Sequence, residues 1–259
     1  MVTGPGSRRV GAGRAAVSGY TVAMTTDSRP LAMLVDGDNA QAALLEHVLA
    51  EAGKYGTVTT RRIYGDWTTK EMGSWKDSLH SLAIQPVQQF RYTKRKNSTD
   101  SALIIDAMDL LHSGTVGGFC IVSSDSDYTR LATRVREQGL FVMGVGRGDT
   151  PEAFVKACQV FVYTENLSPP EGSSARSPEA SSEWVALTRR AIEMTIRDDG
   201  WAFLASVGHA LRQLDPAFDV RTYGHQRLWP LVESRPDLFE VREEKTQEGP
   251  SQVFVRLKN

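Results

Sequence analysis

The sequence LAMLVDGDN at residues 31–39 places an apolar run directly before two aspartates and an asparagine. Five consecutive apolar residues, from Leu31 to Val35, are typical of a short strand that is buried on both faces. Asp36 closes this strand, and residues 40–52 follow with an apolar stripe at helical spacing that ends at Gly53. A buried strand followed at once by a helix predicts the first βα unit of a parallel sheet.

Strands and helices continue to alternate as far as Tyr163. Further strands are predicted at residues 57–64, 84–90, 119–122, 140–145 and 160–163, and further helices at residues 71–82, 99–111, 127–138 and 151–157. This alternation predicts βαβ units and therefore an α/β fold, with a parallel sheet flanked by helices. In such a sheet, ligands bind beyond the carboxyl ends of the strands.

A second domain is predicted behind a break in the pattern. Residues 168–182 (SPPEGSSARSPEASS) are rich in Pro and Ser without periodicity, which is typical of a flexible linker. Three predicted helices and two short strands follow, as in a small winged-helix domain, at residues 183–196, 203–214, 223–233, 239–242 and 252–257. We expect residues 1–30 to be a disordered tail, residues 31–167 to form the first domain and residues 183–259 to form the second.

Composition and charge narrow the classes of function. The chain has 259 residues and a formal net charge of −1, so any nucleic-acid partner must be recognised by local patches. Cys120 and Cys158 lie in apolar runs, which indicates buried thiols rather than a disulfide or a zinc site. No run approaches the roughly 18 apolar residues of a membrane span. The first residues lack the apolar core of a signal peptide, so we expect a cytoplasmic location.

Four aspartates lie at predicted junctions between strands and helices. Asp36 ends the first strand, Asp125 and Asp127 follow the strand at 119–122, and Asp100 opens a helix. Several carboxylates in one cleft raise each other's pKa unless a hard cation neutralises them. Mg²⁺ or Mn²⁺ suits such a site, where it can activate water and stabilise the charge that develops on a phosphodiester.

Each acid also has a simpler interpretation. Asp38 or Asn39 can cap the helix that starts at residue 40, and an aspartate in a first helical turn is stabilised by the helix dipole. Four acids at one sheet edge are nevertheless more than capping requires. Asp36 distinguishes the two interpretations best, because it lies ahead of the cap positions.

A basic run lies immediately before the helix that carries Asp100. It reads RYTKRK and includes Arg91, Tyr92, Lys94, Arg95 and Lys96. Such a run can be a solvated loop. Because its charge is concentrated beside the acids, we expect it to bind a nucleic acid, with the cations on backbone phosphates and the tyrosine stacked on a base.

Three motifs together resemble the NYN family in order and spacing, over about residues 31–167. They are VDGDN at 35–39, KNSTD at 96–100 followed by IDA at 105–107, and VSSDSDY at 122–128. NYN domains are PIN-like nucleases with a Rossmann-like sheet, so the resemblance implies metal-dependent cleavage of RNA. It implies four catalytic, metal-binding acids and two supporting residues, namely Asp36, Asp100, Asp125, Asp127, Asn39 and Ser124.

Two positions depart from this simple picture. Asp106 matches a recurrent acid of the family but lies six residues beyond Asp100 and points away from it, so its role stays open. Tyr128 stands where a phenylalanine is common in the family.

The second domain resembles the LOTUS (OST-HTH) family. The matching residues are GW at 200–201, VG at 207–208, Phe218, YG at 223–224, Leu228 and LFEV at 238–241. The resemblance implies RNA binding, with G-rich or structured RNA as the preferred partner. Together the two domains predict a metal-dependent ribonuclease with an RNA-binding module.

Two other functions remain open at this point. The DGD motif at residues 36–38 also resembles the nucleophile loop of haloacid-dehalogenase phosphatases, where Asp36 would form an aspartyl phosphate and Asp38 would be the acid/base. The downstream lysine and the cap domain of those enzymes are not evident. The second alternative is a non-catalytic RNA-binding adaptor that keeps the acids as structural residues.

Overall fold

The computed structural model describes residues 29–69, 75–90, 98–167, 178–245 and 251–258. Most of the predicted tail and linker, and the whole basic run from Arg91 to Lys96, lie outside these residues.

The first domain is a six-stranded parallel sheet with helices on both faces. Its elements are β1 (Pro30–Asp36), α1 (Leu45–Ala52), β2 (Thr57–Gly65), α2 (Lys76–Ser81), β3 (Gln85–Gln88), α3 (Ser98–Ser113), β4 (Gly118–Val122), α4 (Thr129–Glu137), β5 (Phe141–Gly146), α5 (Glu152–Ala157) and β6 (Val160–Tyr163). The strand order is β3-β2-β1-β4-β5-β6, which confirms the predicted α/β fold. The order reverses between β1 and β4, and this is where ligands bind in sheets of this kind.

Strand β1 lies at the centre because its side chains are apolar on both faces. Ala32 and Leu34 pack into one core, while Met33 and Val35 pack into the other, and all four are fully buried. Strand β4 runs parallel beside it, in a register that pairs Val35 with Val122. The residues that follow these two strands therefore emerge side by side at one edge of the sheet.

The second domain combines three helices with a small antiparallel sheet of order β7-β9-β8. Its elements are α6 (Pro178–Thr195), β7 (Ala202–Phe203), α7 (Leu204–Leu214), α8 (Leu228–Glu233), β8 (Phe239–Glu244) and β9 (Gln252–Leu257). A separate apolar core that includes Trp184 and Phe239 holds these elements together. The domain therefore agrees with the predicted winged-helix pattern.

Several boundaries differ from the sequence predictions. Helix α6 begins at Pro178, inside the segment predicted as a linker. Helix α8 begins five residues later than predicted, because Gly224 has a φ of 79° and ends a separate 3-10 turn. The helix predicted from residue 40 begins as α1 only at Leu45, because the amide groups of residues 39 and 40 both bond back to the carbonyl of Asp36.

The second domain packs directly against the edge strand of the first. The Phe161 amide of β6 donates a hydrogen bond to the Pro216 carbonyl (2.8 Å). The next residue, Ala217, is buried within the core of the first domain. Arg221 donates to Glu51 Oε2 of α1 at 3.0 Å. These contacts cover a sheet edge that would otherwise present unpaired backbone groups to solvent.

Among the described helices, none combines the length and the apolar character that crossing a bilayer requires.

We expect Glu51→Gln to loosen the contact between the domains. The Glu51 side chain is only 8% exposed, and it accepts hydrogen bonds from both Lys54 and Arg221. Replacing a charge-assisted hydrogen bond by a neutral one costs about 1 kcal/mol or more, so the Phe161 amide should exchange with solvent deuterium several-fold to tenfold faster. Glu46→Gln, at an exposed position of the same helix, is the matched control. Equal exchange in the two variants would contradict this role of the ion pair.

Candidate metal centre

Asp36 is the most buried acid at the carboxyl edge of the sheet. Its side chain is fully buried at the end of β1 and accepts three hydrogen bonds. Asn39 Nδ2 (2.7 Å) and Ser123 Oγ (2.9 Å) donate to Oδ2, and the Asp38 amide (3.1 Å) donates to Oδ1. Burial raises the pKa of Asp36, and these hydrogen bonds oppose the rise. The carboxylate is therefore held in one orientation.

Three further carboxylates converge beside it. Asp100, Asp125 and Asp127 each offer one oxygen, and these oxygens lie within 4.8 Å of one another. Asp100 is in the first turn of α3, and Tyr128 Oη donates a hydrogen bond to its Oδ1 at 2.8 Å. Among the described residues, this is the group of His, Cys, Asp and Glu side chains placed closely enough to hold a metal ion.

The capping interpretation holds for one of these acids without excluding the cluster. Asp125 is the N-cap of the 3-10 turn Ser126–Tyr128, and its Oδ1 accepts a hydrogen bond from the Asp127 amide at 2.9 Å. This bond fixes the side chain of Asp125 at the edge of the cluster. The local turn thus orients a carboxylate that the wider fold places beside Asp100.

The four acids interact electrostatically. The pKa of Asp100 is raised, first by burial and then by the negative charges of Asp36, Asp125 and Asp127, while the Tyr128 hydrogen bond opposes the rise. A set of carboxylate oxygens with unfavourable mutual charge is the donor set that Mg²⁺ and Mn²⁺ prefer. The residues present therefore fit a divalent cation.

The hydrogen bond to Asp36 comes from Ser123 and not from Ser124, the serine named by the family resemblance. Ser123 Oγ also accepts a bond from the Asp125 amide (3.0 Å), so it links two of the acids. Ser124 Oγ instead accepts from the Arg147 amide (2.9 Å) in the loop after β5. The register of β1 and β4 explains why Ser123 is the serine beside Asp36, since these two residues directly follow the paired Val35 and Val122.

Asp106 lies apart from the cluster. It accepts hydrogen bonds from Arg62 and Tyr64, both on β2, and so ties α3 to the sheet. The contact of Tyr128 with Asp100 was not predicted from the sequence, although the presence of a hydroxyl where the family often has phenylalanine was a signal. The side chain of Asp38 is exposed.

Comparison with family models identifies the first domain. The NYN domain model matches residues 30–167. The chain belongs to the NYN domain family. NYN domains form a family of PIN-like nucleases, and their members are generally ribonucleases. An OST-HTH/LOTUS domain model matches residues 176–250, and domains of this type bind RNA.

Solved structures of similar proteins cover parts of the chain. A protein of unknown function from Vibrio parahaemolyticus has 18% identity and a TM-score of 0.44, over 54% of this chain and 96% of that chain. An uncharacterized protein from Nitrosomonas europaea has 32% identity and a TM-score of 0.28, over 36% of this chain and 90% of that chain. The comparison with curated proteins finds no match.

In the NYN domain, we expect Ser123→Ala to weaken Mn²⁺ binding by about 10- to 100-fold, because the variant loses the hydroxyl group that donates to Asp36 and accepts from the Asp125 amide. Ser124→Ala is the matched control, since it loses only the bond to the Arg147 amide. The rise in melting temperature on Mn²⁺ titration measures both affinities. The same affinity in both variants would mean that Ser123 has no positioning role.

We also expect Asp100→Asn to stabilise the metal-free protein at neutral pH. The raised pKa of Asp100 means that its stabilising contribution is complete below the unfolded value of about 3.9 and is lost as pH rises through the folded pKa. Asparagine does not ionise, so the melting temperature of the variant in EDTA should exceed that of the wild type by a margin that grows between pH 4 and 7.

Asp109→Asn, at an exposed position of the same helix, is the control for this measurement. Saturating Mn²⁺ at pH 7 should reverse the order, because only the wild type keeps the complete acid cluster. A margin that does not change with pH would contradict the electrostatic account.

Proposed function

We propose that this chain is a metal-dependent ribonuclease that hydrolyses RNA phosphodiester bonds at the acid cluster of its NYN domain, while the C-terminal domain binds the RNA. The observation that carries the proposal is the convergence of Asp100, Asp125 and Asp127 within 4.8 Å, beside the buried Asp36. These side chains come from three different elements of the sheet edge, so no single helix cap accounts for their meeting.

Asp100, Asp125 and Asp127 would hold Mg²⁺ or Mn²⁺, with Asp36 close enough for its charge to act on Asp100. When bound, the ion would supply an activated water and stabilisation of the charge on the phosphodiester. Tyr128 and Ser123 would keep the acids in place through their hydrogen bonds to Asp100 and Asp36.

Asp36 would act on the ion site through its negative charge, because its carboxylate is fully buried at the end of β1. A carboxylate has about four lone-pair sites, and the three donors to Asp36 leave one free, on Oδ1.

The RNA would also be held by parts of the chain outside the acid cluster. The C-terminal domain would bind RNA next to the first domain, because Pro216 and Arg221 hold the two domains together. Arg91, Tyr92, Lys94, Arg95 and Lys96 stay predicted RNA contacts, placed by the sequence just before α3. G-rich or structured RNA is the substrate class that we propose to test first.

We expect Asp36→Asn, Asp100→Asn, Asp125→Asn and Asp127→Asn each to reduce cleavage by at least about 100-fold, because each removes a negative charge that would help to hold the ion. Labelled single-stranded and structured RNAs would be incubated with each variant in Mn²⁺, Mg²⁺ or EDTA. Asp109→Asn is the control for a change of charge outside the cluster. Cleavage at the wild-type rate by all four variants would overturn the proposed site.

The same experiment separates the two alternative functions. Asp38→Asn should keep its ribonuclease activity, whereas a phosphatase with an aspartyl phosphate at Asp36 would lose its acid/base. RNA that is bound but not cut under any ion condition would identify a non-catalytic adaptor.

A further inference from the structure

A groove runs between the two domains, at the opposite end of the sheet from the acid cluster. It consists of two adjoining cavities of about 880 and 520 Å³, which share Lys54, Tyr55, Val160, Arg212 and Pro216 in their walls. Val160 is the first residue of β6, whereas the acids follow the carboxyl ends of the strands. Strands of four to six residues separate the two sites by roughly 13–20 Å.

The larger cavity carries excess positive charge. No acidic residue lines it in the described part of the chain. Lys54 and Lys156 each bind a carboxylate outside the cavity wall. Arg136 donates only to the Lys156 carbonyl (3.0 Å), and neither Arg136 nor Arg212 has a carboxylate within ion-pair distance among the described residues. The positive charges of these two guanidinium groups are therefore not neutralised by carboxylates in the groove. This local excess contrasts with the formal net charge of −1 for the whole chain.

Aromatic and apolar side chains form the rest of the wall. Tyr55 and Phe141 stack with ring centroids 5.3 Å apart, and Leu214 and Pro216 face them from the second domain. Cations beside aromatic rings along an open groove are the usual features of sites for single-stranded nucleic acid. Guanidinium groups match phosphate oxygens in geometry as well as in charge.

The two walls of the groove are held in place by contacts between the domains. The Phe161–Pro216 backbone hydrogen bond and the buried Ala217 lie directly beside it. In the smaller cavity, the two acids are compensated by two cations, because Glu51 binds Lys54 and Arg221 while Asp219 binds Arg221.

We propose that this groove binds a single strand of RNA, with Arg136 and Arg212 on its phosphates. The RNA would contact the two domains at once, far from the acid cluster, so this site extends the binding surface beyond the proposed catalytic centre. Charge and ring chemistry favour RNA over an acidic protein segment, and the second wall comes from a domain type that binds RNA.

The test measures RNA binding by the full chain in EDTA, so that cleavage does not contribute. The probe is a short fluorescein-labelled oligouridine, followed by fluorescence anisotropy at several salt concentrations. Arg136→Glu combined with Arg212→Glu should weaken binding at least about tenfold. The log–log salt slope should flatten by about 0.7 for each phosphate that the variant no longer neutralises.

Arg134→Glu is the matched control for these variants. Arg134 lies on the same helix, outside the groove, and is paired with Glu137 at 3.6 Å. The control should bind the oligouridine as the wild type does. The proposal is overturned by wild-type affinity in the double variant, or by an equal loss of affinity in the Arg134→Glu control.

Two further measurements keep the outcome unambiguous. Hydrogen exchange at the Phe161 amide shows whether the domains of the double variant remain in contact. If this amide exchanges faster than in the wild type, the domains have separated, and the single variant Arg136→Glu on α4 is tested by the same criteria instead. Uridine monophosphate and poly-glutamate serve as competitors. Displacement of the RNA by either one as effectively as by unlabelled oligouridine would make the groove a nucleotide pocket or a general anion site, and would overturn the proposal.

Failure of this proposal is distinguishable from failure of the proposed ribonuclease. Asp100→Asn should bind the oligouridine in EDTA as well as the wild type does, because the acid cluster lies at the other end of the sheet. A groove variant should keep cleavage of saturating RNA while its apparent KM rises.

Discussion

Repulsion among carboxylates is the constraint on which the first domain depends. Asp36 is fully buried, and the charges of three neighbouring acids raise the pKa of Asp100. Such a cluster is unfavourable without a counter-charge, so the surrounding structure must stabilise it. The apolar, buried strands β1 and β4 provide a rigid base, and hydroxyl groups of Ser123 and Tyr128 bind the acids directly. A divalent cation would replace this repulsion by attraction between the ion and the carboxylates. Binding of the ion would therefore stabilise the folded domain.

The sheet topology explains why the acids meet at this edge. Strands β1 and β4 are neighbours although about eighty residues separate them in the chain, and the strand order reverses between them. Helix α3 begins at the same edge and carries Asp100 in its first turn, while the turn after β4 carries Asp125 and Asp127. The position of the site is therefore set by the order of the strands. A sequence change in any one loop would alter only the acids that this loop carries.

Apolar runs and strand-end aspartates were enough to predict the α/β fold and the meeting of the acids, because burial and strand direction are readable from residue type. Strand register and contacts between distant segments could not be predicted in this way. Whether Ser123 or Ser124 faces Asp36 is a matter of one position in register, which composition does not determine. Contacts such as Pro216 with Phe161 join distant segments, and no local pattern indicates them.

The covered edge of β6 has a consequence for how the chain can be divided. A truncated chain that ends at Leu167 would retain the acids but expose the outer backbone groups of a strand whose side chains are mostly buried. Exposed apolar edge strands pair with copies of themselves, so such a truncation invites self-association and amyloid-like stacking. The C-terminal domain would then protect its neighbour from self-association, so the two domains would be best expressed and purified as one chain.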